Sequence, residues 1–250
     1  MTLSQDFRNR LAAGDVLLGS AVAFSDPRVT EALAPSVDFI WLEQEHSLMS
    51  PEAVVAHVLA AHATRVPLLL RIPAGTTALI KPALDSGVPG LIIPQIRTAQ
   101  EVEAVVADVR YAPVGHRGIA PIRGGNYGRV PVPDVVATDD AFLAIQIETS
   151  EALADVEKIA AMPGIDALVI GPTDLSSSLG LLGDFEHPQM RDAIARIVAA
   201  GKANGHSVGA GVGTAAIGRS VIDQGVQWIQ LSGADAYLWQ RFEQLRAEVG

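Results

Sequence analysis

Eight short apolar runs recur along this chain of 250 residues, and each has the length of a β-strand. Most of the intervals between them carry a helical pattern, so that strands and helices alternate. Alternation of this kind predicts a parallel sheet, and eight strands are the number that closes a (β/α)8 TIM barrel. We therefore predict an α/β fold with a single domain over residues 1–250. The runs occupy residues 16–23, 39–42, 67–70, 90–93, 142–147, 167–170, 207–210 and 228–231.

The intervals between the runs differ in how clearly they predict a helix. In residues 98–110, valines recur at helical spacing, and Thr98 with Glu101 forms a capping box. Residues 111–140 are rich in Gly, Pro and Arg and lack a strong period, and loops of that length are often lids or subunit contacts. Residues 234–248 predict a last helix with one apolar side, which either caps the barrel or packs on another subunit.

Composition excludes several classes of function. The formal net charge is −10 and there is no basic run, which argues against binding to nucleic acid or to an anionic membrane surface. The chain has no cysteine, so disulfides, thiolate nucleophiles and cysteine-ligated metals are excluded. Residues 1–10 are polar, and no apolar run is long enough to span a bilayer. These features predict a soluble, cytoplasmic protein.

Polar side chains close several of the apolar runs. Arg71, His46, Glu148 and Asp174 each stand at or just beyond such an end. In a barrel of parallel strands these ends share one face, and TIM-barrel enzymes carry their active sites there. We therefore interpret this face as a candidate active site.

Two of these residues suit a divalent cation. Glu148 and Asp174 follow successive strands, and two carboxylates with positions left for water and substrate favour Mg²⁺ or Mn²⁺. Gln146 lies two residues before Glu148 and so faces the same side of its strand. A buried glutamine there needs a hydrogen-bond partner, and we expect it to bind a substrate oxygen or a metal-bound water. The alternative is that the two acids are helix N-caps or solvated charges.

His46 and Arg71 are candidates for proton transfer and charge stabilisation. Glu43 precedes His46 by three residues, and a carboxylate within reach of an imidazole raises its basicity. Arg71 could bind a carboxylate or stabilise an enolate, and a structural ion pair with Glu43 or Glu45 is an equally open reading. A lone histidine is also often structural.

The lysines argue against a Schiff-base mechanism. Only Lys81, Lys158 and Lys202 are present, and all three fall in predicted helices away from the strand ends. An aldolase of the Schiff-base type needs a lysine inside the barrel or at its rim. If the protein activates a carbonyl compound, a metal ion is then the expected means.

Over nearly its whole length the chain resembles the HpcH/HpaI family of metal-dependent (class II) pyruvate aldolases. The combination of motifs is specific to that family. The resemblance rests on residues 41–46 (WLEQEH), 70–71 (LR), 93–95 (IPQ), 110–113 (RYAP) with Gly115 and 117–118 (RG), 146–149 (QIET) and 170–176 (IGPTDLS).

The resemblance implies a role for each matching residue. Glu148 and Asp174 are expected to hold Mg²⁺, Mn²⁺ or Co²⁺, Arg71 to contact the keto oxygen of the donor, and His46 to act as base. The backbone amides of Thr173 and Asp174 are expected to hold the donor carboxylate. The family is homo-oligomeric, commonly hexameric, with the terminal helix exchanged between subunits, and Asp85 is expected to reach the site of an adjoining subunit.

Two positions depart from the family pattern. Glu43 stands where the family usually has Asp, and residues 123–127 (RGGNY) replace the usual Arg-Ala sequence. Both changes concern the surroundings of the substrate and leave the reaction class as expected. That class is a carbon–carbon lyase that reversibly cleaves a 4-hydroxy-2-oxoacid into an aldehyde and pyruvate or hydroxypyruvate.

Two other functions remain open from the sequence. One is a citrate-lyase-like enzyme of the same superfamily that acts on an acyl-CoA ester. Such an enzyme should need a pocket for adenine and phosphate, and no basic cluster in the sequence provides one. The other is a non-catalytic barrel that binds an oxoacid and a metal but exchanges no proton at C3.

Overall fold

Eight parallel strands form a closed barrel in the computed structural model, which describes residues 2–120, 122–138 and 140–250. Each strand pairs with its neighbour in chain order, and β8 pairs with β1. This confirms the predicted (β/α)8 TIM barrel. The strands are β1 (Leu17–Val22), β2 (Phe39–Glu43), β3 (Leu68–Arg71), β4 (Gly90–Ile93), β5 (Phe142–Ile147), β6 (Ala167–Ile170), β7 (Ser207–Val212) and β8 (Trp228–Gly233).

Helices surround the barrel and begin where the sequence supplies caps. Thr98 forms the predicted capping box with Glu101, and Ser50 accepts the N–H of Ala53 ahead of a proline in the first turn. The helices are α1 (Leu3–Ala12), α2 (Arg28–Leu33), α3 (Pro51–Thr64), α4 (Thr77–Asp85), α5 (Ala99–Val109), α6 (Val132–Ala137), α7 (Ser150–Ala154), α8 (Val156–Ala160), α9 (Pro172–Ser178), α10 (Pro188–Ala203), α11 (Ala215–Asp223) and α12 (Ala234–Val249). None of the helices described is both long and apolar enough to cross a lipid bilayer.

Aromatic side chains fill the amino-terminal end of the barrel. The ring of Phe7, from α1, packs edge-on against Phe39, Phe142 and Trp228, with centroids 5.4, 5.1 and 5.9 Å away. Edge-to-face pairs of this kind add about 0.5–1.5 kcal/mol each to the gain from burial. Gly209 makes room for the indole, because a Cβ there would lie 2.2 Å from Trp228. We refer to these four rings as the aromatic floor.

The inward-facing side chains change from apolar to polar toward the carboxyl ends of the strands. Side chains alternate between the two faces of a strand, so positions two residues apart share the barrel interior. In each of four such pairs, the first residue lies nearer the amino-terminal end of the barrel and is buried and apolar. The barrel is therefore a packed core, with its inward-facing polar groups at the carboxyl end. The inward pairs are Trp41 and Glu43, Leu69 and Arg71, Ala144 and Gln146, and Trp228 and Gln230.

The long connection between α5 and β5 lies at the other end of the barrel. It joins the carboxyl end of a helix to the amino end of a strand, so it lies on the amino-terminal face, opposite the candidate site. The described part of residues 111–140 therefore does not cover the candidate site of its own chain, and its role as a lid or subunit contact elsewhere stays a prediction. The connection also contains α6 and a 3₁₀ turn at Asn126–Gly128, which the weak periodicity of the sequence did not predict.

The apolar side of α12 is not buried by its own chain. Leu238, Trp239 and Phe242 are 65%, 61% and 65% exposed. The helix contacts mainly β1 and β8 of its own barrel. Of the two sequence readings, capping the barrel is therefore wrong, and exchange of this helix between subunits stays a prediction.

Candidate active site

A cavity of about 480 Å³ opens at the carboxyl ends of the strands. It brings together five of the predicted site residues. These are His46, Arg71, Gln146, Thr173 and Asp174. Glu43 and Glu148 lie beside the cavity, in contact with Arg71 and Gln146 respectively. The predicted convergence of these strand-end groups at one rim is thus what the structure shows.

Glu43 forms the central ion pair of this rim with Arg71. The two residues are register partners in the β2–β3 pairing, and both side chains face the barrel interior. Oε2 of Glu43 accepts hydrogen bonds from Nε of Arg71 at 2.7 Å and lies 2.6 Å from its Nη2. It also accepts from Nε1 of Trp41 at 3.2 Å. The structural ion pair considered from the sequence is therefore present.

The other oxygen of Glu43 contacts His46 in an unexpected way. Oε1 accepts the backbone N–H of His46 at 2.9 Å. The prediction that the Glu43 carboxylate acts on the imidazole is therefore wrong, because this oxygen binds the backbone of His46 and not its ring. The nearest carboxylate to the ring belongs to Glu45, whose Oε2 lies 3.7 Å from Nε2 of a side chain that is 65% exposed.

Glu45 lies between the two candidate catalytic side chains. Its Oε2 is 3.1 Å from Nη1 of Arg71. Burial raises the pKa of the Glu45 carboxyl, against the opposing effect of the Arg71 guanidinium, and the charge of Glu148 adds to the rise. Arg71 is thus held by two carboxylates, and its guanidinium lies 5.4 Å from the ring centroid of Trp41. A cation fixed in this manner presents a preorganised charge to the cavity.

Glu148 is the most deeply buried acid of the site, with 1% of its surface exposed. Oε1 accepts the backbone N–H of Gln95 at 2.6 Å, and Oε2 accepts from the side-chain amide of Gln146. This confirms that Gln146 and Glu148 face the same side. Burial raises the pKa of Glu148 despite both hydrogen bonds, and the negative charge of Asp174 raises it further.

The donor set fits a hard divalent cation. No group of three or more His, Cys, Asp or Glu side chains suited to a metal occurs within the described residues. Glu148 and the exposed Asp174 nevertheless repel each other, and Oε1 of Gln146 is buried without a hydrogen-bond partner there. A cation would offset the repulsion and satisfy the orphaned oxygen. All three donors are oxygens, the type that Mg²⁺ and Mn²⁺ prefer.

Two backbone features shape the rim. Gln95 and Ser232 both have φ of 58°, in the left-handed region that non-glycine residues rarely adopt. In Gln95 this conformation accompanies the N–H bond to Glu148. Gly171 leaves space beside the same carboxylate, because a Cβ there would lie 2.6 Å from its Oε2. Strained residues at such a place are typical of functional sites.

The cavity also contains residues that the sequence reasoning missed. Gln230 and Ser232 line it from β8, and the amide of Gln230 donates to the carbonyl oxygen of Ser232. Both occupy inward positions above Trp228, so the two-residue alternation along β8 was the signal that identifies them. Gly211 faces Gln230, and a Cβ at Gly211 would lie 2.8 Å from its Oε1.

Asp85 does not join the cavity of its own chain. It ends α4 on the amino-terminal side, with its carboxylate 3.8 Å from Nη2 of Arg117. Its predicted role in an adjoining subunit stays a prediction. Lys81, Lys158 and Lys202 lie on α4, α8 and α10, and none lines the cavity among the residues described.

Known proteins provide an independent comparison. The sequence profile of the HpcH/HpaI aldolase/citrate lyase family matches residues 23–238. A hydroxypyruvate/pyruvate aldolase from Roseovarius nubinhibens is 34% identical over 206 residues, 80% of each chain. A 4-hydroxy-2-oxovalerate aldolase from Novosphingobium aromaticivorans is 36% identical over 205 residues, 80% of this chain and 78% of its own.

A solved structure agrees with these sequence matches. The crystal structure of an HpcH/HpaI aldolase/citrate lyase family protein from Burkholderia cenocepacia superposes with a TM-score of 0.91 at 32% identity. The match covers 98% of both chains. Profile, relatives and fold agree over at least 80% of this chain, and we conclude that the chain belongs to the HpcH/HpaI aldolase/citrate lyase family.

Proposed function

We propose that this protein is a metal-dependent aldolase that reversibly cleaves 4-hydroxy-2-oxoacids into an aldehyde and pyruvate or hydroxypyruvate. One observation carries the proposal. Arg71, His46, Gln146 and Asp174 line a single cavity, and the buried Glu148 lies behind Gln146. This set contains a fixed cation, an exposed imidazole and the oxygen donors for a divalent ion. The names of the two aldolase relatives agree with a donor of this class.

Glu148 and Asp174 would hold the divalent cation, with Gln146 as a further oxygen donor. The ion, when bound, would supply Lewis acidity to the keto and carboxylate oxygens of the donor. The N–H groups of Thr173 and Asp174 lie in the first turn of α9, where backbone donors have no acceptor within the helix. They would bind the donor carboxylate.

Arg71 and His46 would divide the remaining chemistry. The guanidinium is fixed by Glu43 and Glu45 and would stabilise the negative charge that develops on the keto oxygen as the carbon–carbon bond breaks. His46 has an exposed ring at the mouth of the cavity. It would accept a proton from the 4-hydroxyl group in cleavage and exchange protons with C3 of the donor.

Proton exchange at C3 tests the proposal without knowledge of the aldehyde. Pyruvate and hydroxypyruvate are incubated in D₂O with the protein and Mg²⁺, and loss of the C3 signals is followed by proton NMR. We expect exchange that stops on chelation and slows by about 10²–10⁴ in His46→Ala. His116→Ala, at an exposed histidine outside the cavity, is the matched control and should exchange at the wild-type rate.

Two results would contradict the proposal. Absence of exchange with both donors, alongside Mg²⁺-dependent binding of pyruvate, would indicate a binding barrel. Exchange that survives chelation, with borohydride trapping of pyruvate on Lys81, Lys158 or Lys202, would indicate a Schiff-base enzyme. Cleavage of 4-hydroxy-2-oxopentanoate, coupled to an assay for pyruvate, then measures the full reaction.

A further inference from the structure

A second cavity lies on the amino-terminal face, at the opposite end of the barrel from the candidate active site. Its volume is about 460 Å³, and its walls come from the start of α1, the ends of α3 and α4, and the long connection before β5. We call it the amino-terminal cavity. None of the residues to which the proposed aldolase reaction assigns a step lines it.

The charge of this cavity is opposite to that of the chain. Arg65, Arg117, Arg123 and His62 line it, whereas Asp140 is the one acid among the lining residues described. Asp140 is already engaged, because its Oδ2 accepts a hydrogen bond from Ser4 at 3.0 Å. The protein as a whole has a formal net charge of −10. Three guanidinium groups around one concave space therefore form a local positive site in an acidic protein.

Arg117 is the best-defined cation of the cavity. Its side chain is 11% exposed, and its nearest carboxylate, on Asp85, lies 3.8 Å from Nη2. The guanidinium lies 4.6 Å from the ring centroid of Tyr111, while its Nε is buried without a hydrogen-bond partner among the described residues. A buried donor left unpaired costs free energy, and an anion in the cavity would remove that cost.

Arg123 and Arg65 are also available to a ligand. Neither side chain makes an ion pair with any residue that the structure describes. Arg123 lies over Gly87, where a Cβ would come within 2.3 Å of its Cδ, so the glycine creates the space for this arginine. Arg65 ends α3 in the left-handed conformation, with φ of 58°. Separate segments of the chain thus contribute cations to the same cavity.

Part of the remaining lining is apolar. Leu84, Val88 and Val135 contribute to the wall, together with the ring of Tyr111. A planar guanidinium binds phosphate and carboxylate oxygens through paired hydrogen bonds. We propose that the amino-terminal cavity binds a small organic anion, with its phosphate or carboxylate group on Arg117 and Arg123 and its carbon skeleton against the apolar wall.

Titration calorimetry with inorganic phosphate and phenyl phosphate, at fixed ionic strength and without metal, tests this site. We expect one phenyl phosphate per chain, bound more tightly than inorganic phosphate because the ring covers apolar surface. Arg123→Gln and Arg117→Gln should each weaken binding by about tenfold or more, since each removes a charge-assisted contact. Arg129→Gln, on the same connection but outside the cavity, is the matched control and should bind within about twofold of the wild type.

Two outcomes would contradict the proposal. Binding that persists in Arg123→Gln but disappears in Arg71→Ala would place the anion in the active-site cavity. Absence of saturable binding to the wild type would mean that the arginines serve another purpose, such as contact with a second copy. Should Arg117→Gln fail to fold, as judged by circular dichroism, Arg123→Gln still decides the question. Proton exchange at C3 is measured separately, so failure of this site leaves the aldolase proposal intact.

Discussion

Glu43 connects the two proposed catalytic residues through a single carboxylate. One oxygen accepts from the Arg71 guanidinium at 2.7 Å, and the other accepts the backbone N–H of His46 at 2.9 Å. The Glu43 side chain thus bridges β3 and the loop that follows β2. Any change that moves Glu43 is expected to act on charge stabilisation and proton transfer together.

Replacement of Arg71 should lower both stability and exchange. Arg71→Ala leaves Glu43 and Glu45 buried without their cation, a loss on the order of 3–5 kcal/mol when one partner of a buried pair is removed. It also removes the cation at the developing oxyanion, which slows C3 exchange by about 10²–10³. Arg71→Lys should restore more stability than exchange, because an ammonium lacks the planar fork. Urea unfolding and exchange per folded molecule measure the two effects.

An exposed arginine provides the control for that pair of variants. Arg28 pairs with Asp26 at the surface, with 83% of its side chain exposed. Arg28→Ala should change neither the free energy of unfolding nor the rate of C3 exchange appreciably. Exchange at the wild-type rate in Arg71→Ala would show that the guanidinium is purely structural.

Glu148→Gln should stabilise the metal-free protein at neutral pH and abolish its affinity for Mn²⁺. Burial raises the pKa of Glu148 above its ordinary value of 4.5, so the ionised carboxylate destabilises the fold at pH 7. Oε1 of Gln146, which has no partner among the described residues, would turn to accept from the new amide. We expect a gain on the order of 1–3 kcal/mol, or a few degrees in Tm.

The difference in stability between the wild type and Glu148→Gln should depend on pH. As the pH falls through the raised pKa, Glu148 becomes protonated in the wild type and the penalty is lost. The stability difference should therefore disappear below about pH 4.5, where the carboxyl is neutral in both states. Mn²⁺ should raise the Tm of the wild type only. A Tm of the metal-free variant at or below that of the wild type at pH 7 would refute the assignment.

Gly171→Ala should damage the cation site by steric means alone. The new Cβ would lie 2.6 Å from Oε2 of Glu148 and 2.9 Å from Nε2 of Gln146, so both side chains must move. We expect at least about a tenfold loss of Mn²⁺ affinity and a destabilisation of about 1–3 kcal/mol. Gly213→Ala is the control on the same cavity, because its Cβ would meet no atom within 4 Å. Equal Mn²⁺ affinity in the two variants would show that Glu148 is not a ligand.

His57 should make the fold sensitive to acid. Its ring is buried, with Nε2 2.9 Å from the carbonyl oxygen of Phe24 and Nδ1 2.8 Å from the hydroxyl of Thr30. A carbonyl only accepts, so the neutral ring donates from Nε2 and accepts at Nδ1. Burial lowers the pKa of His57 from 6.5. The stabilising effect of the neutral ring is complete above that value and is lost as the pH falls towards the lowered pKa.

His57→Gln removes the titrating group but keeps an amide that can donate to Phe24. Thermal unfolding between pH 7.5 and 5 should show a smaller loss of Tm in this variant than in the wild type. His116→Gln, at an exposed ring, should keep the wild-type slope. Parallel curves for the wild type and His57→Gln would assign the acid sensitivity to other groups.

The strands were predictable because their apolar runs are short and bounded by polar residues. The predictions fell short at β7 and β8, which continue to Val212 and Gly233. Gly211, Ser232 and Gly233 do not have the apolar character by which a strand is identified from sequence. Their strand conformation comes from pairing with neighbours, as between Gly211 and Gln230.

The hydrogen-bond partners of Glu43 could not be predicted from the neighbouring residues in the sequence, because they too depend on strand pairing. Separation by three residues placed it near His46, and that proximity is correct. Which group of His46 it meets depends on the register between β2 and β3, which sets Glu43 opposite Arg71. Register is a property of two strands that lie 28 residues apart along the chain at this pair. The left-handed conformations of Gln95 and Ser232 were equally hidden, since neither residue is Gly, Asn or Asp.

The aromatic floor gives the barrel the form of a cup with one mouth. Phe7, Phe39, Phe142 and Trp228 are each no more than 1% exposed, while the active-site cavity lies among the polar residues at the opposite end. A molecule that binds against Gln146 and Asp174 enters and leaves through this one opening, and so does any second molecule that binds after it. When two molecules occupy the cavity together, the one nearer the aromatic floor is covered by the one nearer the opening. The inner molecule must therefore bind first and leave last.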